Sequence, residues 1–196
     1  MVGVTQYSLF GAEASAPALG DFDGLLLAGA QWVRSGPRAR LSVVVADEWR
    51  ADALATVFAE LGVGAADAVV PAATGHGVRT AFSTDLLPHA ARWTRGANQE
   101  LPADLVLGAQ GLRLWALTGG HRDDVGYLLS TPEPDERLHR VAGAQLARLG
   151  VAAVFLSQRG GPGWRVSSAR RLRRLVELVG PAPAGCGADW PGASVH

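Results

Sequence analysis

The sequence predicts an α+β fold made of two copies of one unit, each with the order helix, strand, helix, strand, strand, helix. Apolar stretches interrupted by small residues occur twice, at residues 24–34 and 112–124. Each is followed by an apolar strand and by a helix that ends in Leu-Gly, at Gly62 and at Gly150, where a left-handed helix C-cap is favoured. Two units in the same order at a nearly constant offset indicate an internal duplication.

The two opening stretches are predicted to be helices that pack on each other. Ala28-Gly29 in the first and Gly119-Gly120 in the second would leave a stripe without side-chain bulk, so that the two backbones can approach closely. On an isolated surface helix, each Gly in place of Ala would instead cost about 1 kcal/mol. The pattern therefore favours a central seam between the units.

The chain divides into five segments. The segments are a flexible amino-terminal tail (1–18), repeat 1 (19–95), a polar linker (96–104), repeat 2 (105–180) and a flexible carboxyl-terminal tail (181–196). In repeat 1, the consecutive β-branched residues Val43, Val44 and Val45 predict a strand buried on at least one face. Trp190 is the residue of the last tail that prefers burial, so it either packs back on the domain or marks a peptide contact.

Composition limits the classes of function. Hydrophobic residues make up 48% of the chain and charged residues 18%, as in a folded globular protein. No window approaches the roughly 18 apolar residues of a membrane span, and the amino terminus lacks the features of a secretory signal, so we expect a cytoplasmic protein. Cys186 is the only cysteine, which excludes a disulfide framework and a cysteine-rich zinc site. No pattern predicts a cofactor or a metal.

The arginines are unevenly distributed. The formal net charge is zero, which argues against a wholly basic domain that grips nucleic acid. Residues 137–174, however, contain many arginines and no acid. On the closing helix an apolar stripe would leave an exposed basic arc, which either contacts phosphates or is simply solvated. The candidate nucleic-acid-binding residues are Arg165, Arg170, Arg171, Arg173 and Arg174.

The amino-terminal tail contains Gln6-Tyr-Ser-Leu-Phe10. It resembles the peptide, usually Gln-Leu-Ser/Asp-Leu-Phe, by which many bacterial replication and repair proteins dock on the sliding clamp. Gln6, Leu9 and Phe10 match, and Tyr7 departs from the pattern. Such a peptide inserts two apolar side chains into a cleft while its Gln bonds polar groups at the cleft edge. Alternatively, Tyr7, Leu9 and Phe10 form an edge strand or fold onto the core.

The duplicated pattern resembles the LAGLIDADG fold of homing endonucleases and of related DNA-binding transcription regulators over most of residues 19–180. Leu27-Ala28-Gly29 matches the start of the motif, and residues 117–124 match more of it. In that family the opening helices pack at the centre, and the strands of both halves form a saddle that lies on DNA. The resemblance implies the same arrangement here, although each half has room for only one strand between its first two helices, where the family has two.

The resemblance also bears on catalysis. In the nucleases each motif helix ends in a carboxylate that holds a divalent metal, and the motif places Asp124 at that position in the second half but Arg34 in the first. Cleavage with two metals needs carboxylates from both sides. We therefore expect an Arg34–Asp124 ion pair, a retained fold and no nuclease chemistry.

The sequence thus favours a non-enzymatic accessory protein of bacterial DNA replication or repair. Its amino-terminal peptide would bind the sliding clamp, and its second half would contact DNA. The alternative is a small-molecule enzyme that reuses the fold, with a site around His121, Asp124 and Tyr127. A deep apolar cavity beside Asp124 would favour the enzyme, whereas a tight helix pair with Arg34 bonded to Asp124 would favour the accessory protein.

Overall fold

A computed structural model describes residues 15–96, 98–131, 135–157 and 162–192, so the clamp-like peptide at residues 6–10 lies outside the described part of the chain. The described residues form two units with the same order: helix, strand, strand, helix, strand, strand, helix. The predicted α+β fold with an internal duplication is thereby confirmed. No helix among these residues is long and apolar enough to cross a membrane.

The elements of the two units follow in chain order. After a 3-10 turn at Leu19–Phe22, the first unit consists of α1 (Asp23–Leu27), β1 (Gln31–Ser35), β2 (Arg38–Val45), α2 (Glu48–Glu60), β3 (Gly64–Ala72), β4 (Gly75–Thr80) and α3 (Leu87–Arg92). The connection contains the paired short strands β5 (Thr94–Arg95) and β6 (Asn98–Gln99). The second unit consists of α4 (Ala109–Gly119), β7 (Gly120–Arg122), β8 (Tyr127–Ser130), α5 (Glu136–Arg148), β9 (Val154–Leu156), β10 (Gly163–Val166) and α6 (Ala169–Val179).

Each unit folds its strands into one antiparallel sheet, and the two sheets have equivalent strand orders. The order is β1-β2-β4-β3 in the first sheet and β7-β8-β10-β9 in the second. The expectation of a single strand between the first two helices of each half is wrong. Both units contain the two strands that the LAGLIDADG resemblance requires.

The extra strands arise because both opening helices end earlier than expected. Helix α1 ends at Leu27 rather than at Arg34, and Gly29 then turns the chain with a φ of 99°, in the left-handed region that favours glycine. Helix α4 ends at Gly119. Arg34 therefore lies in β1, and Asp124 lies in the turn between β7 and β8.

Helices α1 and α4 pack directly on each other, as predicted, but at different glycines. The backbones meet at Gly24 and Gly111, where a methyl group on Gly24 would overlap the carbonyl oxygen of Gly111. Gly29 lies beyond the end of α1, and a methyl group on Gly119 would meet Ser130 of β8 instead. The predicted contact through Gly29 and Gly119 is therefore wrong, and Gly24 and Gly111 form the seam.

The carboxyl-terminal segment packs on the domain as far as residue 192. Trp190 is 1% exposed, and its indole N–H donates a hydrogen bond to the carbonyl oxygen of Gly180 at 3.0 Å. The guanidinium of Arg113 lies 5.0 Å from the centre of the indole ring. Of the two alternatives for Trp190, packing is observed, since a large aromatic side chain is stabilised by burial. This differs from the flexible tail expected for residues 181–196, the last four of which lie outside the description.

The seam predicts a specific sensitivity to substitution. Gly24→Ala should lower the free energy of unfolding by roughly 1 to 3 kcal/mol, because the added methyl group forces two packed helices apart. Urea denaturation measures this. Gly20→Ala is a matched control, since a methyl group there meets no atom within 4 Å, and its effect should stay within about 0.5 kcal/mol. A Gly24→Ala variant as stable as the parent would refute the seam.

Candidate nucleic-acid interface

Each sheet has an inner face toward the core and an outer face toward solvent. In β2 the alternate residues Ala39, Leu41, Val43 and Val45 are buried, whereas Val44 between them is 53% exposed. Successive side chains of a strand point to opposite faces of the sheet. The residues that alternate with the buried set therefore form the outer face.

The outer face of the first sheet is rich in arginine. Arg38 and Arg40 alternate with buried residues along β2, and Arg79 of β4 lies directly opposite Ser42. Strand β1 adds polar and apolar residues opposite them in register. We call this set the first-sheet face: Gln31, Val33, Ser35, Arg38, Arg40, Ser42, Val44 and Arg79.

The first-sheet face has an excess of positive charge. Arg79 forms an ion pair with the Asp67 carboxylate and also donates from its Nε to the Asp67 carbonyl oxygen at 3.3 Å. Arg40 lies with its guanidinium 4.7 Å from the centre of the Phe82 ring, and its Nε has no hydrogen-bond partner among the described residues. Arg38 is exposed and has no ion pair within the described ranges. The guanidinium of Arg38 is therefore available to a ligand, whereas the Nε of Arg40 is buried.

The outer face of the second sheet carries less charge. Its ionisable residues in the described part are His121 and Arg165, both opposite Leu128 in the neighbouring strand β8. Arg165 forms an ion pair with Asp123 at 2.6 Å, and Val154 beside it is 60% exposed. This face is therefore close to neutral and partly apolar.

Asp123 stabilises the turn between β7 and β8. Its carboxylate accepts hydrogen bonds from the backbone N–H groups of Val125 at 3.0 Å and Gly126 at 2.8 Å, and from Arg165 at 2.7 Å. Slight burial raises the pKa of Asp123, but these donors together lower it below its usual range. Asp123 is thus a charged structural group rather than a proton donor.

The arginines of α6 lie apart from both outer faces. Helix α6 packs on α4 through its buried apolar residues, so it belongs to the helix layer. Arg174 is engaged, since it donates to the Leu149 carbonyl oxygen at 3.3 Å and to Glu177 at 3.2 Å. The structure therefore places Arg170, Arg171, Arg173 and Arg174 on α6 and Arg165 on β10, the strand that precedes this helix.

The ends of α1 and α4 carry no carboxylate. Helix α1 is followed by Ala28-Gly29-Ala30, and α4 ends at Gly119 with Gly120 next. The expected ion pair between Arg34 and Asp124 does not form among the described residues. Those residues also contain no cluster of three or more His, Cys, Asp or Glu side chains that could hold a metal. The donor set at the helix ends does not fit the metal ions of a LAGLIDADG nuclease.

A buried arginine lies at the carboxyl-terminal end of α4. Arg50 of α2 is 4% exposed and donates to the carbonyl oxygens of Ala116 at 3.1 Å, Leu117 at 2.9 Å and Gly120 at 2.6 Å. Its Nε donates to Asp47 at 2.8 Å. The last carbonyl groups of a helix lack intrahelical donors and attract cations. Arg50 therefore caps the opening helix of the second unit from the first unit.

A buried acid makes a comparable connection from α1. Asp23 accepts a hydrogen bond from the Trp93 indole N–H at 2.7 Å and forms an ion pair with Arg92 at 3.4 Å. Burial raises the pKa of Asp23 more than these two partners lower it. Asp23 thus connects α1 to the end of α3, inside the helix layer and away from the outer faces.

A cavity of about 680 Å³ lies beside Asp124. Its walls are the β7–β8 turn, part of α6 and Pro191-Gly192, and Tyr127 contributes to the lining while His121 does not. The Tyr127 hydroxyl is buried without a hydrogen-bond partner among the described residues, and burial raises its pKa. The cavity expected for the small-molecule alternative is therefore present. His121, Asp124 and Tyr127 are not brought together around it as an acid–base group.

Comparison with solved structures identifies the fold. The homing endonuclease I-WcaI bound to its DNA recognition sequence is similar with a TM-score of 0.63 and 10% identity, over 91% of this chain and 89% of that one. Full-length DUF199/WhiA from Thermatoga maritima has a TM-score of 0.60 and 13% identity, over 84% of this chain and 55% of that one. The amino-terminal LAGLIDADG domain of DUF199/WhiA has a TM-score of 0.59 and 11% identity, over 94% and 96%.

These similarities establish a LAGLIDADG-like fold and confirm the predicted resemblance at that level. The chain spans about half of full-length WhiA and nearly all of its LAGLIDADG domain. No protein-family model matches the sequence, and a search of curated proteins gives no significant match.

Arg50 provides a test of the connection between the units. Arg50→Met should lower the free energy of unfolding by about 3 kcal/mol or more, because three carbonyl oxygens at the end of α4 lose a charged donor and the Asp47 carboxylate loses its partner. Arg50→Lys should recover only part of this loss, since an ammonium group cannot reproduce the planar fork. Arg34→Met, on an exposed strand residue, should change stability by less than about 0.5 kcal/mol. Equal urea midpoints for the Arg50→Met and Arg34→Met variants would show that the cap is unimportant.

Proposed function

We propose that this chain is a DNA-binding protein that contacts the sugar–phosphate backbone through the first-sheet face. The observation that supports the proposal is the group of Arg38, Arg40 and Arg79 on one outward surface, where Arg79 is paired with Asp67. Guanidinium groups remain charged at any physiological pH and bond phosphate oxygens in pairs. A solved protein with the same fold is bound to DNA, which makes this the ligand class to test first.

The zero net charge of the chain is compatible with this proposal, because phosphate recognition needs a local excess of positive charge rather than a basic protein. Each neutralised phosphate contributes about 0.9 to the slope of log affinity against log salt. Three arginines therefore predict weak binding with a modest salt slope of about −3. Sequence preference would have to come from other residues of the strands, since phosphate contacts position a protein without reading bases.

We further propose that the chain binds DNA without cleaving it. Gly29, just beyond the end of α1, and Gly119, at the end of α4, have no side-chain ligand for a divalent cation. Phosphodiester hydrolysis of the two-metal kind needs carboxylates from both units to hold the cations.

Arg165 and the arginines of α6 remain a second proposed DNA contact. The donors of Arg165 and Arg174 are partly engaged by Asp123 and Glu177. The available charges of this group are therefore mainly those of Arg170, Arg171 and Arg173, which have no ion pair among the described residues. This contact and the first-sheet face can be separated by mutation.

The DNA contact is tested with two matched triple variants. Replacing Arg38, Arg40 and Arg79 by Ala should weaken binding to a DNA duplex and reduce the salt slope by about 2 to 3, since each lost phosphate contact removes about one unit. Fluorescence anisotropy across a salt series measures both quantities. The control carries Arg170, Arg171 and Arg173 replaced by Ala, and removes the same charge from α6. If the control loses as much affinity as the sheet variant, or if only the control loses affinity, the first-sheet face is not the main contact.

We propose in addition that the amino-terminal peptide docks on the bacterial sliding clamp, so that the protein acts as an accessory factor in DNA replication or repair. Support comes from the sequence, where Gln6, Leu9 and Phe10 match the clamp-binding pattern ahead of the first helix. A peptide that precedes the first helix in the sequence can be recognised by a cleft on another protein at a small ordering cost. Its clamp affinity should therefore be modest and independent of the domain.

The clamp proposal has its own test. A peptide covering residues 5–11 should bind the sliding clamp with a micromolar Kd, equivalent to about −8 kcal/mol. Leu9→Ala combined with Phe10→Ala should abolish clamp binding by the whole protein, because each side chain contributes roughly 1.5 to 3 kcal/mol of apolar burial. Surface plasmon resonance and a melting curve measure the two properties. A folded double variant that still binds the clamp would reject the peptide as the contact, and a destabilised one would assign both residues to the core.

A further inference from the structure

We propose that a second cavity, between β1, the paired strands β5 and β6 and the start of α5, binds an uncharged nucleobase. We call this cavity the β1 pocket; its polar and aromatic lining includes Gln31, Trp32, Trp93, Asn98, Gln99 and Asp135. The pocket has a volume of about 410 Å³, within the roughly 300 to 1,000 Å³ of small-molecule sites. The base would come either from an unpaired position in bound DNA or from a free nucleoside.

Two tryptophans line the β1 pocket. Trp32 is half-buried, and its ring packs on Phe22 with 6.4 Å between the ring centres. Trp93 is 1% exposed, and its indole N–H donates to Asp23 at 2.7 Å. Every base has a flat face that stacks on an aromatic side chain. The accessible part of the Trp32 ring is therefore the surface that we assign to stacking.

The polar groups of the pocket are mainly side-chain amides. Gln31 and Asn98 are exposed, and their amides form no hydrogen bond within the described residues. The Gln99 amide nitrogen donates to the Ala30 carbonyl oxygen at 3.4 Å, which leaves its amide oxygen as an acceptor. An amide presents a donor and an acceptor in one plane, as needed to bond N6 and N7 of adenine together. Adenine is therefore the base to test first.

The charge of the lining favours a base over a phosphate. Asp135 is the acidic side chain among the described lining residues, and those residues include no arginine, lysine or histidine. Its Oδ1 accepts a hydrogen bond from the backbone N–H of Arg137 at 2.8 Å, so Asp135 caps α5. A carboxylate without a cation in the same pocket repels a phosphate group. We therefore expect a nucleoside to bind more tightly than its monophosphate.

The β1 pocket adjoins the surface proposed to contact DNA. Strand β1 is the edge of the first sheet, and Gln31 belongs both to the first-sheet face and to the pocket lining. Phosphates held on that face would place a neighbouring unpaired base beside the pocket. Moving an unpaired base out of the duplex costs less than moving a paired one. This source of the base rests on the proposed function.

Two duplexes of the same sequence, one with a single additional unpaired adenine, test the DNA source with the whole protein. Fluorescence anisotropy should show about tenfold tighter binding of the duplex with the unpaired adenine, the size of one stacking contact. Trp32→Leu should remove this preference and leave the affinity for the paired duplex unchanged. Asn98→Ala should reduce the preference about fivefold, as for the loss of one hydrogen bond. Should Trp32→Leu fail to fold, Asn98→Ala decides, since Asn98 is exposed.

Two controls separate the pocket from the first-sheet face. Trp49→Leu removes a half-buried tryptophan of α2 that does not line the pocket, and it should keep the preference. Replacing Arg38, Arg40 and Arg79 by Ala should weaken the binding of both duplexes alike. Free adenosine, adenosine monophosphate and ribose are compared by saturation-transfer NMR. Adenosine should bind the parent protein and not the Trp32→Leu variant, whereas the monophosphate should bind more weakly and ribose should not bind.

The outcomes distinguish the two sources of the base. A preference for the unpaired adenine that Trp32→Leu removes supports DNA, and adenosine binding without that preference supports a free nucleoside. Equal binding of both duplexes together with no adenosine binding overturns the pocket and leaves the proposed function intact. Binding of neither duplex contradicts the proposed function, and adenosine then decides the pocket. The pocket is also overturned if Trp49→Leu acts like Trp32→Leu, or if the monophosphate or ribose binds as tightly as adenosine.

Discussion

The fold depends on the backbone contact between α1 and α4 at Gly24 and Gly111. Without a Cβ atom at the crossing, the two helices approach closely enough for the leucines on either side of it to be fully buried in a core shared by both units. Helix α1 is only five residues long, too short to be stable by its own hydrogen bonds. Its stability therefore comes from packing on α4, and the position of the first sheet relative to the second follows from the same contact.

Arg50 completes this arrangement at the other end of α4. Its guanidinium donates to three carbonyl groups at this end of the helix, of which the Ala116 carbonyl also accepts a hydrogen bond from the backbone N–H of Gly120. A buried cation is costly unless its donors are all engaged, so Arg50 is stabilising only while α2 and α4 keep their relative position. Helix α1 is thus followed by alanine and glycine, and α4 ends in glycine with Arg50 bonded to its last carbonyl groups. Such helix ends can hold the two sheets in position but have no side chain for catalysis. The proposed function therefore depends on the outer faces of the sheets.

The sequence was sufficient to predict the duplication, because the repeated order of apolar segments and the glycines at 62 and 150 survive in both units. The ends of the opening helices could not be placed, since a run such as Leu27-Ala28-Gly29-Ala30 is compatible with a continuing helix until the φ of Gly29 is known. For the same reason Arg34 and Asp124 were predicted to lie at helix ends, whereas they lie in β1 and in the β7–β8 turn. The same error also shifted the seam to the wrong glycines, because Gly24 and Gly111 lie at the start of each helix.

The arginines of the first-sheet face could have been found from the sequence. From Arg38 to Val45 polar and apolar residues alternate almost perfectly, which indicates a strand with one exposed face. The denser arginines of α6 are the stronger signal in the sequence, and they favour the second unit. Arg50 had no such signal, because its three acceptors are backbone groups more than sixty residues away. The sequence could not decide whether Trp190 packs on the domain or marks a peptide contact, because its burial depends on tertiary contacts with Gly180 and Arg113.

Amide chemical-shift mapping by NMR, during titration with a short duplex, would locate the DNA on the protein. If DNA lies on the first-sheet face, the perturbed amides should cluster in β1, β2 and β4, around Arg38, Arg40 and Arg79, and the perturbations should weaken as salt is added. A cluster confined to α6, or to the cavity beside Asp124, would contradict it.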